Sequence, residues 1–117
     1  MIDLTIRLRE TPDAADYLFR LVATDDGPSA ESTLPDPGAA FAAVEKHGEA
    51  IFFPKPGPPR LCTQQYGGPQ VAVVSGTFHG RAVEYVFTRT DGCEIARWNA
   101  MAALLGSAGG AWGNTRI

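Results

Sequence analysis

Val71-Ala72-Val73-Val74-Ser75-Gly76-Thr77-Phe78-His79-Gly80-Arg81-Ala82-Val83-Glu84-Tyr85-Val86-Phe87 contains two β-rich runs separated by His79-Gly80. Val83, Tyr85 and Phe87 alternate with Glu84, the two-residue period of side chains on a pleated strand. Two such runs around a short glycine-containing turn predict a β-hairpin. Val86 shows that the second face of the hairpin is not wholly wet. Gly76, inside the first run, marks a bulge or close packing.

On the N-terminal side of the hairpin, Gly67-Gly68-Pro69 reads as a turn, and Leu61-Cys62-Thr63-Gln64-Gln65-Tyr66 precedes it. Pro54-Lys55-Pro56-Gly57-Pro58-Pro59 has four prolines in six residues. Prolines fix φ and remove amide donors, so this stretch is expected to be an extended, stiffened surface segment. On the C-terminal side, Asp91-Gly92 reads as a turn immediately before Cys93. Trp98 to Leu105 fits either a short helix or a strand. The Gly/Ser/Ala-rich residues from Gly106 onward read as a mobile tail, which puts the domain at residues 1–105 and the tail at 106–117.

The N-terminal half supplies more strands. Ile2, Leu4, Ile6 and Leu8 fall on one side and Asp3, Thr5, Arg7 and Arg9 on the other, the pattern of a half-buried strand. Tyr17 to Thr24 predicts a second strand with apolar groups on both faces, as in the interior of a sheet. Asp25 to Gly38 is rich in Asp, Gly, Pro and Ser and reads as a long surface connection. A helix follows: Asp36 can cap it, Pro37 suits its first position, and Ala39 to His47 are good helix formers. Phe41 and Val44 share a face. Gly48 is expected to stop this helix, leaving His47 at its end, and Ala50 to Phe53 to form a short strand. About five strands and one clear helix, without internal repeats, give an antiparallel α+β class with the helix covering one sheet face.

The 117 residues suffice for one domain with a modest core. The longest apolar runs are strand-sized, far below the roughly 20 residues that cross a bilayer. Ten basic and thirteen acidic residues give a net charge of -3. Lys55, Arg60, Arg81, Arg89 and Arg97 are scattered among acids, so neither nucleic acid nor an anionic membrane is an expected partner. Met1-Ile2-Asp3-Leu4-Thr5 has no basic-then-apolar leader pattern.

Chemistry-bearing residues are few. The two histidines, His47 and His79, would have to act with Ser29, Ser32, Ser75 or Ser107, and no nucleophile elbow surrounds any of these. Cys62, Cys93, His47 and His79 have no knuckle spacing, so no metal site is expected. No glycine-rich segment has a phosphate-loop or dinucleotide pattern. The chain therefore reads as having no catalytic centre and no cofactor. The two cysteines could be buried thiols, a redox pair or a disulfide. A Cys62–Cys93 bond would fasten the segment after the prolines to the turn after the hairpin, closing about 31 residues for roughly 3–4 kcal/mol of stability. Two buried thiols remain the alternative.

These residues resemble the Streptomyces subtilisin inhibitor family, small secreted bacterial inhibitors of subtilisin-like serine proteases. The match covers Leu61-Cys62-Thr63-Gln64-Gln65-Tyr66, the hairpin quoted above and the closing Cys93-Glu94. It extends more weakly over residues 17 to 53, where Pro35-Asp36-Pro37-Gly38-Ala39-Ala40 looks like the family's helix entry. The resemblance implies a reactive loop with its scissile bond between Gln64 and Gln65. Gln64 is then P1, Thr63 P2, Cys62 P3 and Leu61 P4, with Gln65 and Tyr66 as P1′ and P2′. It also implies an α+β fold with a five-stranded antiparallel sheet and one or two helices on one face, a homodimer formed through the sheet, secretion, and a subtilisin-like protease as partner.

Several positions depart from the family pattern. Its second disulfide is missing, with Thr24 and Phe41 at the nearest positions. Its P2 proline is replaced by Thr63, and Gln64 is neither a long apolar nor a basic P1 residue. Gly67-Gly68 gives a looser turn behind the bond, and the tail runs past the family's usual end. The competing reading is an inhibitor-like binding module with another target, a metalloprotease or a non-protease partner, or one whose inhibitory activity is lost.

Overall fold

A computed structural model describes residues 1–11, 13, 15–34, 36–54 and 61–105. The proline-rich approach over 55–60 and the expected tail over 106–117 lie outside the described residues. The strands are β1 (Ile2–Arg9), β2 (Tyr17–Thr24), β3 (Gly27–Pro28), β4 (Val71–Phe78) and β5 (Arg81–Phe87), and the helices are α1 (Pro37–Phe52) and α2 (Gly92–Ala100). The sheet is five-stranded and antiparallel in the order β3-β2-β1-β4-β5.

β1 is central because it has one fully apolar face to bury. Ile2, Leu4, Ile6 and Leu8 are all inaccessible to solvent. Burying each such side chain contributes about 1.5–3 kcal/mol. Register follows from that alternation: Leu4 stands opposite Leu21 of β2, and Ile6 opposite Val74 of β4. β2 lies inside the sheet as expected: beyond the two-residue β3, its outer edge is also bonded by the following segment, the Ser29 N–H donating to the Val22 carbonyl at 2.7 Å and the Thr33 N–H to the Arg20 carbonyl at 2.9 Å. The hairpin forms as expected. His79 and Gly80 both take positive φ, 50° and 82°, the two-residue turn whose twist matches the flanking strands. Gly76 lies opposite Leu4 at φ +136°, and a Cβ there would overlap the carbonyl oxygen of Asp3.

α1 begins where the sequence indicates. The Asp36 side chain accepts from the Ala39 N–H at 3.1 Å, and Pro37 opens the helix. It does not stop at Gly48. The helix runs on to Phe52, so the strand expected over Ala50 to Phe53 is helical and His47 is well inside α1. Buried Ala40, Val44, Gly48 and Ile51 recur at helical spacing, which continues the apolar stripe past the glycine. Gly48 is there for close packing: a Cβ would stand 3.2 Å from the Phe78 ring. Phe52, one turn on, meets Phe78, Tyr85 and Phe87 edge-on with ring centroids 6.0–6.3 Å apart.

α2 resolves two readings. Asp91-Gly92 is a helix start, since the Asp91 carboxylate accepts from the Glu94 N–H at 2.9 Å. Trp98 to Leu105 is helical, interrupted at Met101. Trp98, Met101, Leu104 and Leu105 join Val44 and Ile51 in one core against Ile2, Leu4, Ile6 and Leu8, so the helices cover one sheet face. The opposite face is held by surface pairs, Arg20 with Asp3 at 2.9 Å and Arg9 with Asp16 at 2.7 Å.

Candidate functional site

Because Ala72 stands opposite Phe87, the chain entering β4 and the chain leaving β5 run side by side. The segment before Val71 therefore meets the β5–α2 connection. Leu61, Cys62, Thr63, Gln64, Gln65 and Tyr66 are all exposed, Leu61 completely and Tyr66 to 68%. No side chain from Leu61 to Tyr66 is charged at neutral pH.

Two sets of contacts fasten this segment. On the N-terminal side Cys62 and Cys93 form a disulfide with Cα atoms 5.2 Å apart, deciding between the thiol and disulfide readings. The Asp91 cap fixes the first turn of α2, and from that turn the Gly92 N–H donates to the Thr63 carbonyl at 2.9 Å. A Cβ on Gly92 would overlap Thr63 Oγ1. Thr63 therefore packs directly on the helix start. Its carbonyl also accepts from the Gln65 N–H at 3.0 Å, closing a three-residue turn with Gln64 at the tip.

On the C-terminal side the Gly67 N–H donates to the Arg89 carbonyl at 2.7 Å, and Arg89 Nε donates back to the Gly67 carbonyl at 3.2 Å. The Arg89 guanidinium lies 5.6 Å from the ring centroid of Trp98, which is buried. The looser turn expected at Gly67-Gly68 is not what forms. A Cβ on Gly67 would be 2.9 Å from Ile95 Cδ1 and 3.2 Å from Arg89 Cβ, so Gly67 docks tightly. Gly68 takes φ +128°, which turns the chain toward β4. Gln64, Gln65 and Tyr66 thus project between two anchor points on one short connection.

The remaining chemistry-bearing residues sit elsewhere or are occupied. His79 Nδ1 is 3.3 Å from the Met1 amino group and Nε2 is 2.9 Å from Glu45 Oε1. An ammonium neighbour calls for a lone pair at Nδ1, leaving Nε2–H to donate to Glu45. His47 lines a cleft of about 420 Å³ behind Leu61 and Thr63. Cys62, Asp91 and Cys93 cluster, but the two sulfurs are bonded to each other and offer no thiolate to a metal.

Gly67, Arg89 and Gly92 were not among the expected site residues. A signal for them existed: an antiparallel hairpin must return the residues after Phe87 to those before Val71. Composition alone could not show which of them makes contact.

No family model matches the chain. It is 34% identical over 85 residues to subtilisin inhibitor-like protein 8 of Streptomyces virginiae, an alignment covering 71% of this chain and 76% of that protein.

Proposed function

This chain belongs to the subtilisin inhibitor-like family, and from that premise we propose that it inhibits a subtilisin-like serine endopeptidase by presenting Leu61–Tyr66 as a substrate-like loop. Gln64–Gln65 is the bond offered. The observation that carries this reading is the double fastening of an exposed segment: Cys62–Cys93 and Thr63–Gly92 before the bond, Gly67–Arg89 after it.

The physical sequence is short. To dock as an added extended segment the loop opens the turn between the Gln65 N–H and the Thr63 carbonyl, with Leu61 as an apolar P4 anchor and Gln64 at the S1 entrance. Little ordering entropy is lost, since both ends are held beforehand. The protease serine attacks the Gln64 carbonyl carbon, the bond to the Gln65 nitrogen breaks, and an acyl-enzyme forms with a free Gln65 amine. Cys62 precedes the bond and Cys93 follows it, so the disulfide keeps the two fragments covalently joined. The amine stays close and can attack the acyl-enzyme, remaking the bond in competition with water. Gln64 gives up hydration of its amide on entering S1, so this P1 residue favours a permissive or polar pocket.

Self-association belongs to the same proposal. The register places Leu18, Arg7, Val73 and Val86 in one row across the open sheet face, with Leu18 60% and Val86 50% exposed. A second copy would cover that row. Export to an oxidising compartment fits a disulfide that closes a 31-residue separation.

Timed incubation with subtilisin, following residual activity and the position of cleavage, tests the reading. Inhibition with slow cleavage confined to Gln64–Gln65 is expected. Rapid complete digestion, or full protease activity at high inhibitor excess, would overturn it.

A further inference from the structure

We propose that Arg89 is the positioning residue for the leaving side of the offered bond, an inference that rests on the inhibitory reading above. Its carbonyl accepts from the Gly67 N–H at 2.7 Å, and its own Nε donates to the Gly67 carbonyl at 3.2 Å. Both polar groups of one peptide residue are thus held by one arginine. The guanidinium is steadied in turn by the Trp98 ring at 5.6 Å, and Trp98 is part of the buried core. Arg89 therefore ties the residue after Tyr66 to the rigid interior.

This tie does something the disulfide cannot. The Cys62–Cys93 bond prevents the fragments from separating, but Cys62 lies on the acyl side of Gln64–Gln65. It leaves the new Gln65 amine free to swing away on Tyr66 and Gly67. The bond is remade only if that amine is held near the acyl carbon, as effective-concentration arguments require. With Gly67 docked against Ile95 and gripped by Arg89, only Gln65 and Tyr66 remain free between the amine and the anchor. Arg89 touches neither reacting atom and acts through Gly67.

The test compares the wild type with R89M, which keeps an unbranched apolar stem over Trp98 without a donor, and R89K, which restores a cation and a donor. Two readouts are taken: amide hydrogen exchange at Gly67, with Ile6 in β1 as reference, and the equilibrium ratio of cleaved to intact chain with catalytic subtilisin. In R89M, Gly67 exchange and the cleaved-to-intact ratio are each expected to rise about tenfold, with Ile6 unchanged and partial recovery in R89K. Wild-type values of either readout in R89M, or faster exchange at Ile6 as well, would overturn the positioning role. If the wild type is not cleaved at Gln64–Gln65 at all, the inhibitory reading fails, and with it the role of Arg89 in remaking the bond; Gly67 exchange then reports the structural tie alone.

Discussion

Gly92 and Thr63 are in contact twice: the Gly92 N–H donates to the Thr63 carbonyl at 2.9 Å, and Thr63 Oγ1 fills the space a Gly92 side chain would need. The start of α2 thereby acts as the floor of the exposed loop. The Asp91 cap, the Cys93 sulfur and the Gly92 amide all lie within three consecutive residues. Disturbing that floor should change loop geometry before it changes the core.

G92A places a methyl group into Thr63. The expected cost is about 1–3 kcal/mol, divided between lost stability and a displaced loop. Inhibition should weaken by about tenfold or more. Adding T63A removes the overlapping hydroxyl and should recover a large part of both losses. Thermal unfolding and inhibition titration of the single and double variants check this, and equal losses in G92A and G92A/T63A would contradict the steric account.

Replacing both cysteines by serine removes the link between the segments on either side of the bond. Loss of roughly 3–4 kcal/mol is expected from chain entropy. Denaturant titration measures that loss. In the temperature range where the variant still folds, it should be digested as an ordinary substrate, with the two fragments separating on a non-reducing gel.

G76A tests the sheet independently of the loop. At φ +136° any side chain is strained, and this one would also meet the Asp3 carbonyl in β1. Destabilisation by about 3 kcal/mol or more is expected, because β1 and β4 must separate or the strand must re-register. Denaturant unfolding checks this.

Acid should weaken the open face slightly. The hydrogen bond from Arg20, aided by its charge and opposed by slight burial, holds the Asp3 carboxyl below its ordinary pKa. The unfolded chain therefore takes up a proton there more readily. The stabilisation is fully present above about pH 4 and fades as the pH falls through the lowered folded value. The pair is substantially exposed, so the effect should stay under about 1 kcal/mol. D3N should flatten that part of the stability profile, measured by denaturant titration between about pH 2 and 6.

The alternation of Ile2, Leu4, Ile6 and Leu8 and the paired runs around His79-Gly80 made the sheet legible, because a period of two has one structural meaning when one face must be buried. Gly48 misled for a physical reason. Glycine ends helices through its conformational freedom, but it also admits a neighbouring ring, and here the Phe78 ring takes that space. Trp98 to Leu105 was ambiguous because short apolar runs suit either structure until a helix start is recognised, and Asp91 reads equally as a turn residue and as a cap. Leu61 to Tyr66 was legible as an exposed segment ahead of the hairpin, its reactive-loop role being the proposal above. Its support was not, since the Gly67–Arg89 and Thr63–Gly92 contacts join residues 22 to 29 positions apart through hydrogen bonds that no local pattern encodes.

The most direct test of the account starts from the product. Chain cleaved only at Gln64–Gln65 is purified, freed of protease, and returned to a catalytic amount of fresh subtilisin near neutral pH. Intact chain should reappear, by mass and on a reducing gel, and approach the same cleaved-to-intact ratio reached from the uncleaved side. If cleaved protein stays entirely cleaved while both fragments remain joined through Cys62 and Cys93, a loop held for resealing is the wrong description of this site.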